Sequence, residues 1–341
     1  MTNKETIMKE DLQEQACWLL LAFESGLSTR IINDILVVWC KQLGRTLQEF
    51  FAASKEEWMA TCHLKTEIIQ KLEQAKEKLV GQAFLVEKLS HEHIHLLTVL
   101  DENYPRLLKL TLNRNQIPPV LCYAGDLQNL ERQTIGIIGS RNAGESSLVF
   151  TREIAQYLAE KGANVISGNA RGVDRAAFEG ATSTDNGHTT VILPHGIHKL
   201  SGVQMRNLVP KIEAGNVLLM SQFHPDAPWV VSRAMERNKV VTGLAQVVIV
   251  AEADTKGGTW EGANGALKQG RPLYVRQTVS SSLLAGNDAL IELGGLPLTW
   301  PTENIAELSF SLFIESTMLQ QKQNEKPERS EQLSLFTSPN E

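Results

Sequence analysis

The sequence contains little that would indicate a metal site, a disulfide framework or a membrane anchor. Its four cysteines, Cys17, Cys40, Cys62 and Cys122, are isolated, and none belongs to a C-x-x-C pair. Zinc ribbons and thioredoxin-type sites use such pairs, so we expect no metal and we expect reduced thiols. No apolar run is long enough to span a bilayer, and the polar, acidic start does not resemble a signal peptide. These features predict a cytoplasmic protein with no membrane partner.

Motifs for nucleotide cofactors and for a serine nucleophile are also missing. The chain has no G-x-G-x-x-G, no G-x-x-x-x-G-K-[ST] and no G-x-S-x-G pattern. These patterns accompany dinucleotide binding, phosphate-binding loops and nucleophile elbows. We therefore expect no cofactor and binding without catalysis. A formal net charge of -6 argues against a chain coated in basic residues, but it leaves room for a local basic patch.

The first part of the chain has the pattern of a small all-α domain, which we place at residues 1–95. "DLQEQACWLLLAFESG" and "STRIINDILVVWCKQLG" carry apolar residues at helical spacing and stop at Gly26 and Gly44. Ser54 and Glu57 have the spacing of a capping box. "TEIIQKLEQAKEKLVGQAFLVEKL" predicts one long charged helix after them.

From residue 96 to about residue 300, apolar runs rich in β-branched residues alternate with helical patterns. The runs are "TIGIIGS", "NVISG", "TTVILP", "NVLLMSQ", "QVVIVAEA" and "RPLYV". Strands that are apolar on both faces are typical of a parallel sheet between two layers of helices. The sequence predicts an α/β, Rossmann-like, doubly wound and mostly parallel sheet. An amphipathic helix over residues 301–322 and a flexible polar tail over residues 323–341 are expected to follow.

Glycine and polar residues follow three of the predicted strands, in "GIIGSRNAGESS", "VISGNARGVD" and "EADTKGGTWEGA". Ligands of an open parallel sheet bind beyond the carboxyl ends of its strands, and glycine lets backbone N–H groups approach an anion. Any one of these loops is also compatible with an ordinary tight turn. Together they predict a site for a phosphate group, either of DNA or of a free nucleotide. The candidate residues are Gly139, Ser140, Arg141, Ser167, Gly168, Asn169, Arg171, Gly172, Lys256, Gly257, Gly258 and Thr259.

A fourth candidate element is the helical stretch "SRAMERNKVV". Arg233 and Arg237 are one helical turn apart and are expected to project together. Asn238 and Lys239 extend this polar patch, which predicts contacts to phosphates. The alternative is a solvated helix face, the commonest fate of a charge cluster.

These motifs, in this order, resemble the DprA/Smf family of DNA-processing proteins over roughly residues 96–300. The resemblance begins at "LDENYPRLLKL" and "IPPVLCYAGDL" and continues through "IGIIGSR" and "VISGNARGVDRAAFEGA". It extends through "GHTTVILPHGI" and "RNKVVTGLAQVVIVAEA" to "GNDALIELGG".

The resemblance implies a Rossmann-like domain that binds single-stranded DNA, forms a homodimer and hands DNA to the RecA recombinase. Arg141 and the segment from Arg233 to Lys239 would then contact DNA, and the "SGNARG" loop would shape the same pocket. We expect a divergent branch of the family, without its C-terminal winged-helix domain.

A second resemblance belongs to a class of enzymes. "AMERNKVV" and "VVIVAEADTKGGTWEGA" are similar to segments of LOG-type nucleotide phosphoribohydrolases. The matching residues would be Glu261 and Arg237, acting on the N-glycosidic bond of a nucleoside monophosphate. A carboxylate beside an oxocarbenium-like centre suits such a cleavage. We rank this enzyme below the DNA-binding interpretation.

The tail carries an apolar cluster within an otherwise polar stretch. "QLSLF" resembles the short peptide by which bacterial DNA-metabolism proteins bind the replication sliding clamp. The resemblance implies polar contacts from the amide of Gln332 and apolar anchoring by the leucines and the phenylalanine. The alternatives are a chance match or packing against the chain's own fold. The residues of this candidate peptide are Gln332, Leu333, Ser334, Leu335 and Phe336.

Overall fold

The computed structural model describes residues 3–277 and 284–300, with side chains from residue 11 onward. The predicted amphipathic helix over 301–322 and the predicted tail over 323–341, with its QLSLF peptide, lie outside the described residues.

The described part of the chain begins with a helical unit. Its helices are α1 (Asn3–Leu19), α2 (Thr29–Ile35), α3 (Leu47–Ala52), α4 (Lys55–Cys62), α5 (Thr66–Lys76) and α6 (Leu79–His91). Two π-helical turns, Leu20–Glu24 and Leu36–Gln42, continue α1 and α2. The apolar faces meet around Trp39, Phe50 and Trp58, which are fully buried. The Trp58 indole N–H donates to the Phe50 carbonyl at 2.8 Å, so its one polar atom is satisfied within the core.

The predicted helix start at Ser54 is confirmed, because its hydroxyl accepts from the backbone N–H of Glu57 at 3.2 Å. The prediction of one long helix after it is wrong. A turn between α5 and α6 interrupts the pattern, and there Lys78 forms an ion pair of 2.6 Å with Glu24. No helix-breaking residue marks this turn, so packing against the first helices overrides local propensity.

The rest of the described chain forms a nine-stranded sheet in the order β1-β2-β6-β5-β4-β3-β7-β8-β9. The strands are β1 (His95–Thr98), β2 (Val120–Ala124), β3 (Thr134–Ile138), β4 (Asn164–Ser167), β5 (His188–Ile192), β6 (Val217–Ser221), β7 (Val247–Val250), β8 (Leu273–Arg276) and β9 (Leu296–Leu298). The seven strands from β3 to β9 pair in parallel, and β1 and β2 add an antiparallel edge. The predicted doubly wound, mostly parallel sheet is confirmed.

Helices cover both faces of the sheet. They are α7 (Arg106–Thr111), α8 (Glu145–Glu160), α9 (Val173–Ala181), α10 (Gly202–Glu213), α11 (Val231–Leu244), α12 (Gly258–Lys268) and α13 (Ala285–Glu292). Ile135 and Ile137 of β3 pack with α8 and α9, whereas Val248 and Val250 of β7 pack with α11 on the other face. The apolar core between β7 and α11 is continuous with the core of the helical unit.

Polar contacts also join the helical unit to the sheet. The buried Asn33 side chain donates to the carbonyls of Arg114 at 2.8 Å and Ile117 at 3.0 Å. Arg114 in turn forms an ion pair of 2.8 Å with Asp34. Within the described ranges, no helix has the length and apolar character needed to cross a bilayer.

Candidate nucleic-acid interface

The carboxyl ends of β3 and β7 meet at the point where the strand order reverses, and this is where open α/β sheets bind ligands. The Ser140 backbone N–H donates to the Glu252 carbonyl at 2.8 Å and joins the loops that follow these strands. The Val173 N–H donates to the Ser140 carbonyl at 3.2 Å and brings in the loop after β4. The three glycine-rich loops predicted from the sequence therefore lie together at one edge.

Glycine at two positions permits this approach. Gly172 has a φ of 86°, and a Cβ there would lie 2.4 Å from the Ser140 carbonyl oxygen. A Cβ on Gly139 would lie 2.5 Å from a methyl carbon of Val173. A larger residue at either position would push the first two loops apart.

The loop after β3 is anchored by a carboxylate. Glu252 accepts from the Gly144 N–H at 3.0 Å and from the Ser147 hydroxyl at 2.6 Å, which ties the start of α8 to the end of β7. The Ser147 hydroxyl also contacts the buried guanidinium of Arg276. This network holds the backbone of the Arg141 loop from beneath and leaves the Arg141 side chain exposed.

The loop after β4 is held by an ion pair that the sequence did not reveal. Both terminal nitrogens of Arg237 lie 3.1 Å from Oδ2 of Asp174, and the Arg237 side chain is 3% exposed. A Cβ on Gly168 would lie 1.1 Å from the guanidinium, so the loop rests directly on it. The prediction that Arg237 projects together with Arg233 is wrong, because Arg237 is turned inward onto Asp174. Its contact with a phosphate stays a prediction.

The same loop contains a residue with a left-handed backbone conformation. Asn169 has a φ of 49°, in the left-handed region that asparagine tolerates better than most residues. Its side-chain oxygen accepts from Arg175 at 3.3 Å, and Arg171 donates to the side chain of Asn142 in the first loop. Arg171 is exposed, whereas Ser167 is buried at the end of β4 and only shapes the loop.

Two clefts open at this edge, and Arg141 lines both. The first, which we call the glycine cleft, has a volume of about 350 Å³. Lys256 and the start of α12 at Gly258 form one wall, and Asn238 donates to the Gly258 carbonyl at 3.2 Å. The predicted residues that line it are Gly139, Ser140, Arg141, Arg237, Asn238, Lys256, Gly257, Gly258 and Thr259.

The second, the arginine–tryptophan cleft, has a volume of about 520 Å³. The guanidinium carbon of Arg141 lies 5.3 Å from the ring centroid of Trp229, which is 47% exposed. Arg171, Asn169 and His195 complete the polar wall. Within the described chain no acidic side chain lines this cleft, so its field favours an anion. Trp229 was missed from the sequence, because nothing in "HPDAPWVVS" distinguishes an exposed indole from a buried one.

Two other predicted cations lie away from these clefts. Arg233 donates to the Pro228 carbonyl at 2.6 Å and lines a separate cleft near the helical unit. Lys239 is exposed on α11 but lines none of the described clefts around this edge. Although they are one turn apart on α11, the two arginines meet different neighbours: Arg233 meets the Pro228 carbonyl, and Arg237 meets the Asp174 carboxylate of α9.

The residues proposed for glycosidic-bond cleavage are not gathered into one cleft. Glu261 is exposed on α12 and is absent from the lining of the glycine cleft, where Arg237 is held by Asp174. Among the described residues, no group of three or more histidine, cysteine, aspartate or glutamate side chains is arranged to hold a metal ion.

A cleft of about 830 Å³ lies at the opposite edge, where the parallel strands begin; we call it the amino-edge cleft. Tyr123, Arg106 and Arg132 line it together with Glu102 and Asp126. Its mixed charges contrast with the arginine–tryptophan cleft.

Comparison with known proteins agrees with this architecture. A family model described as DNA recombination-mediator protein A matches residues 95–309. Protein Smf of Escherichia coli is 28% identical over 225 residues, which cover 66% of this chain and 59% of that protein. The chain thus spans less than two thirds of the length of that relative.

Two solved structures are similar. The X-ray structure of DNA processing protein A from Streptococcus pneumoniae has a TM-score of 0.63 and 22% identity, and the match covers 83% of this chain and 94% of that one. At this identity it supports the fold. The second is a structure of DNA processing protein A from Helicobacter pylori, described as giving insights into its unique single-stranded DNA binding mode. It has a TM-score of 0.52 and 26% identity, and the match covers 67% of this chain and 96% of that one. The DprA/Smf resemblance is confirmed: the family model spans more than half of the chain, which belongs to the DNA recombination-mediator protein A family.

Proposed function

We propose that the chain acts in DNA processing by binding single-stranded DNA along the carboxyl edge of its sheet. The arginine–tryptophan cleft is the observation that carries this proposal. Arg141 and Arg171 supply cations for phosphates, and the exposed face of Trp229 supplies a platform for a base. Proteins that bind single strands combine these two elements. The binding mode studied in the Helicobacter pylori relative supports the same ligand class.

A single strand fits this surface better than a duplex. An indole stacks on the face of a base, and that face is covered by neighbouring base pairs in a duplex. We expect a labelled single strand to bind with higher affinity than the matched duplex, and we expect affinity to fall as salt is added. Equal affinity for both forms in an anisotropy titration would contradict the proposal.

The proposed pathway is based on the family to which the chain belongs. We infer that the bound strand is handed to the RecA recombinase and that the chain works as a homodimer, which gives one strand two basic edges. Exposed Leu293, and exposed Leu296 at the start of the edge strand β9, offer apolar surface for a second copy. Light scattering should give the mass of a dimer at micromolar concentration. The mass of a monomer at that concentration would contradict the proposed homodimer.

We also propose that binding occurs without chemistry. Nucleoside monophosphates incubated with the protein should release no free base, because Glu261 and Arg237 do not share an open cleft. The measurement is chromatographic detection of free base for wild type and for Glu261→Gln. Base release by wild type that disappears in Glu261→Gln would replace this proposal with the phosphoribohydrolase.

The QLSLF peptide supports a proposal about a protein partner. We propose that Gln332, Leu333, Leu335 and Phe336 dock on the DNA polymerase sliding clamp and tether the DNA-binding domain to it. A short peptide loses conformational freedom on docking, so we expect a dissociation constant in the micromolar range. This corresponds to a binding free energy of roughly -8 kcal/mol. Two tails on a dimer would gain avidity on a ring-shaped clamp.

This tether is tested by titrating purified clamp into the full chain and into a variant with Gln332→Ala, Leu335→Ala and Phe336→Ala. Binding should be lost in the triple variant and retained in a control with Thr337→Ala and Ser338→Ala, which alters neighbouring polar residues. Equal binding by wild type and the triple variant, or binding by neither, would remove the clamp as a partner.

A further inference from the structure

The segment that connects β6 to α11 spans residues 222–230 and carries Trp229 near its end. We call it the tryptophan segment. Trp229 lines the arginine–tryptophan cleft and its ring faces the guanidinium of Arg141. Because the indole is 47% exposed, its own packing fixes it only in part, and its position depends on how the backbone of the segment is held. That backbone is held from two sides.

On one side the tryptophan segment is bonded to the loop between β5 and α10. The Gly196 N–H donates to the Ala227 carbonyl at 2.9 Å, and the His198 N–H donates to the Pro225 carbonyl at 3.0 Å. A Cβ on Gly196 would lie 2.1 Å from the Pro225 carbonyl oxygen, so the two backbones are in direct contact. The loop and the segment are therefore joined before the chain reaches Trp229.

The side chain of His198 extends this contact to the helical unit. Its Nδ1 lies 3.2 Å from Oδ1 of Asp226 in the tryptophan segment, and its Nε2 lies 2.9 Å from Oε2 of Glu92, the residue that follows α6. Burial alone would raise the pKa of the Asp226 carboxyl, but the hydrogen bond from His198 and nearby positive charges lower it below its ordinary value. His198 is 8% exposed and bridges the two carboxylates.

His224 makes a second contact between the tryptophan segment and the helical unit. Its ring packs edge-on against Phe23 with 5.8 Å between centroids, and burial lowers its pKa, so the ring is neutral near pH 7. The Asp226 N–H donates to Nδ1 at 3.1 Å, which puts the ring proton on Nε2. Nε2 lies 3.6 Å from Oε1 of Glu24, which also pairs with Lys78.

The distance from these contacts to the indole is short. Only Ala227 and Pro228 separate Asp226 from Trp229. The ring of Pro228 restricts its φ, and its carbonyl accepts from Arg233 at 2.6 Å. A displacement of Asp226 is therefore passed along a constrained backbone to Trp229.

We propose that His198 is a positioning residue for strand binding, a proposal that rests on the proposed function. His198 holds the tryptophan segment between the helical unit and the loop after β5, and so fixes the Trp229 indole where a base stacks. Within the described structure, neither His198 nor any residue of the helical unit lines the two clefts at the carboxyl edge. The helical unit thus influences the affinity of a surface to which it contributes no lining residue.

A double-mutant cycle tests this role in the full chain, with affinity for a labelled oligothymidylate as the readout. His198→Ala should weaken binding by about threefold or more, but less than Trp229→Ala does, because a displaced indole keeps part of its stacking. In the Trp229→Ala background, His198→Ala should have almost no further effect, since the residue acts through the indole.

Two results of this cycle would overturn the positioning role: no loss of affinity in His198→Ala, or the same fold-loss with and without Trp229. Either result, with normal binding by wild type, leaves the proposed function intact. Absence of binding by wild type would contradict the proposed function and this inference together.

The contribution of the helical unit is tested with Glu92→Ala, which changes an exposed residue. Affinity should fall, and the fall should again disappear in the Trp229→Ala background. The matched control is Glu87→Ala, which removes an exposed carboxylate of α6 and changes the net charge equally. Its affinity should equal that of wild type. If Glu92→Ala binds as tightly as Glu87→Ala, the contact with Glu92 does not position the indole.

A second measurement needs no DNA. In the full chain labelled with fluorotryptophan, the fluorine NMR signal of Trp229 is identified by its loss in Trp229→Phe. His198→Ala should shift this signal, while the signals of Trp39 and Trp58, buried in the helical unit, should stay in place and show that the fold is kept. If His198→Ala disturbs those two signals, Glu92→Ala takes its place in the comparison. An unchanged Trp229 signal in a folded variant would overturn the proposal.

Discussion

Arg141→Glu is expected to weaken the binding of single-stranded DNA by at least about tenfold at low salt. Arg141 is exposed, it lines both clefts at the carboxyl edge, and its one described aromatic contact is with Trp229. Replacement by glutamate removes a phosphate partner and puts a repelling charge in its place. Fluorescence anisotropy with a labelled oligothymidylate over a range of salt concentrations measures the change. The salt dependence should become shallower, because fewer counterions are released.

A matched control separates site-specific loss from a change in net charge. Arg132→Glu makes the same charge reversal at the amino-edge cleft, on an exposed arginine. It should change affinity much less than Arg141→Glu. If both variants lose affinity equally, phosphate binding is not localised at the carboxyl edge.

Trp229→Ala probes the other half of the same surface. Loss of one stacked base costs about 1–3 kcal/mol, so affinity should fall while the salt dependence stays close to that of wild type. Arg141 and Trp229 are in contact, and their effects are therefore not expected to add.

Asp174→Ala is expected to lower the free energy of unfolding by about 3–5 kcal/mol, the cost of leaving a buried charge without its partner. Arg237 is 3% exposed and has both terminal nitrogens on the Asp174 carboxylate. Without that carboxylate, its guanidinium would stay desolvated beneath Gly168 or would displace the loop after β4. Urea unfolding of the full chain, followed by tryptophan fluorescence, measures the loss.

Two further variants make this prediction specific. Asp254→Ala removes an exposed carboxylate at the same edge of the sheet and should change stability by less than about 0.5 kcal/mol. The double variant Asp174→Ala with Arg237→Met should recover part of the loss, because an apolar side chain replaces the unpaired charge. If Asp174→Ala has the same free energy of unfolding as Asp254→Ala, the ion pair does not anchor the loop after β4.

The parallel core of the fold could be predicted because burial on both faces leaves a direct mark in the sequence. Runs such as "TIGII" and "QVVIV" have no polar alternation, and they form the adjacent strands β3 and β7. The strands β1, β2 and β9 were not predicted. They lie at the edges of the sheet, and β9 is only three residues long with a central proline, so their patterns are weak.

The candidate site was predictable in its backbone but not in its side-chain pairings. Glycine-rich strand ends indicated three loops at one edge, since parallel strands place their carboxyl ends together. Helical spacing indicated which side chains share a face of α11, but it could not show what opposes that face. Asp174 lies 63 residues before Arg237, and only the fold brings the two together. For this reason the sequence could not show that Arg237 pairs with Asp174 instead of projecting with Arg233.

The location of the strand is tested most directly by photo-crosslinking. A single strand with iodouracil in place of thymine is irradiated with the full chain, and the adducts are mapped by mass spectrometry. We expect adducts on Trp229 and on the loops that carry Arg141 and Arg171, and we expect unlabelled single strand to compete them away. Adducts confined to the amino-edge cleft, at Tyr123 or Arg132, would contradict the proposed location of the strand.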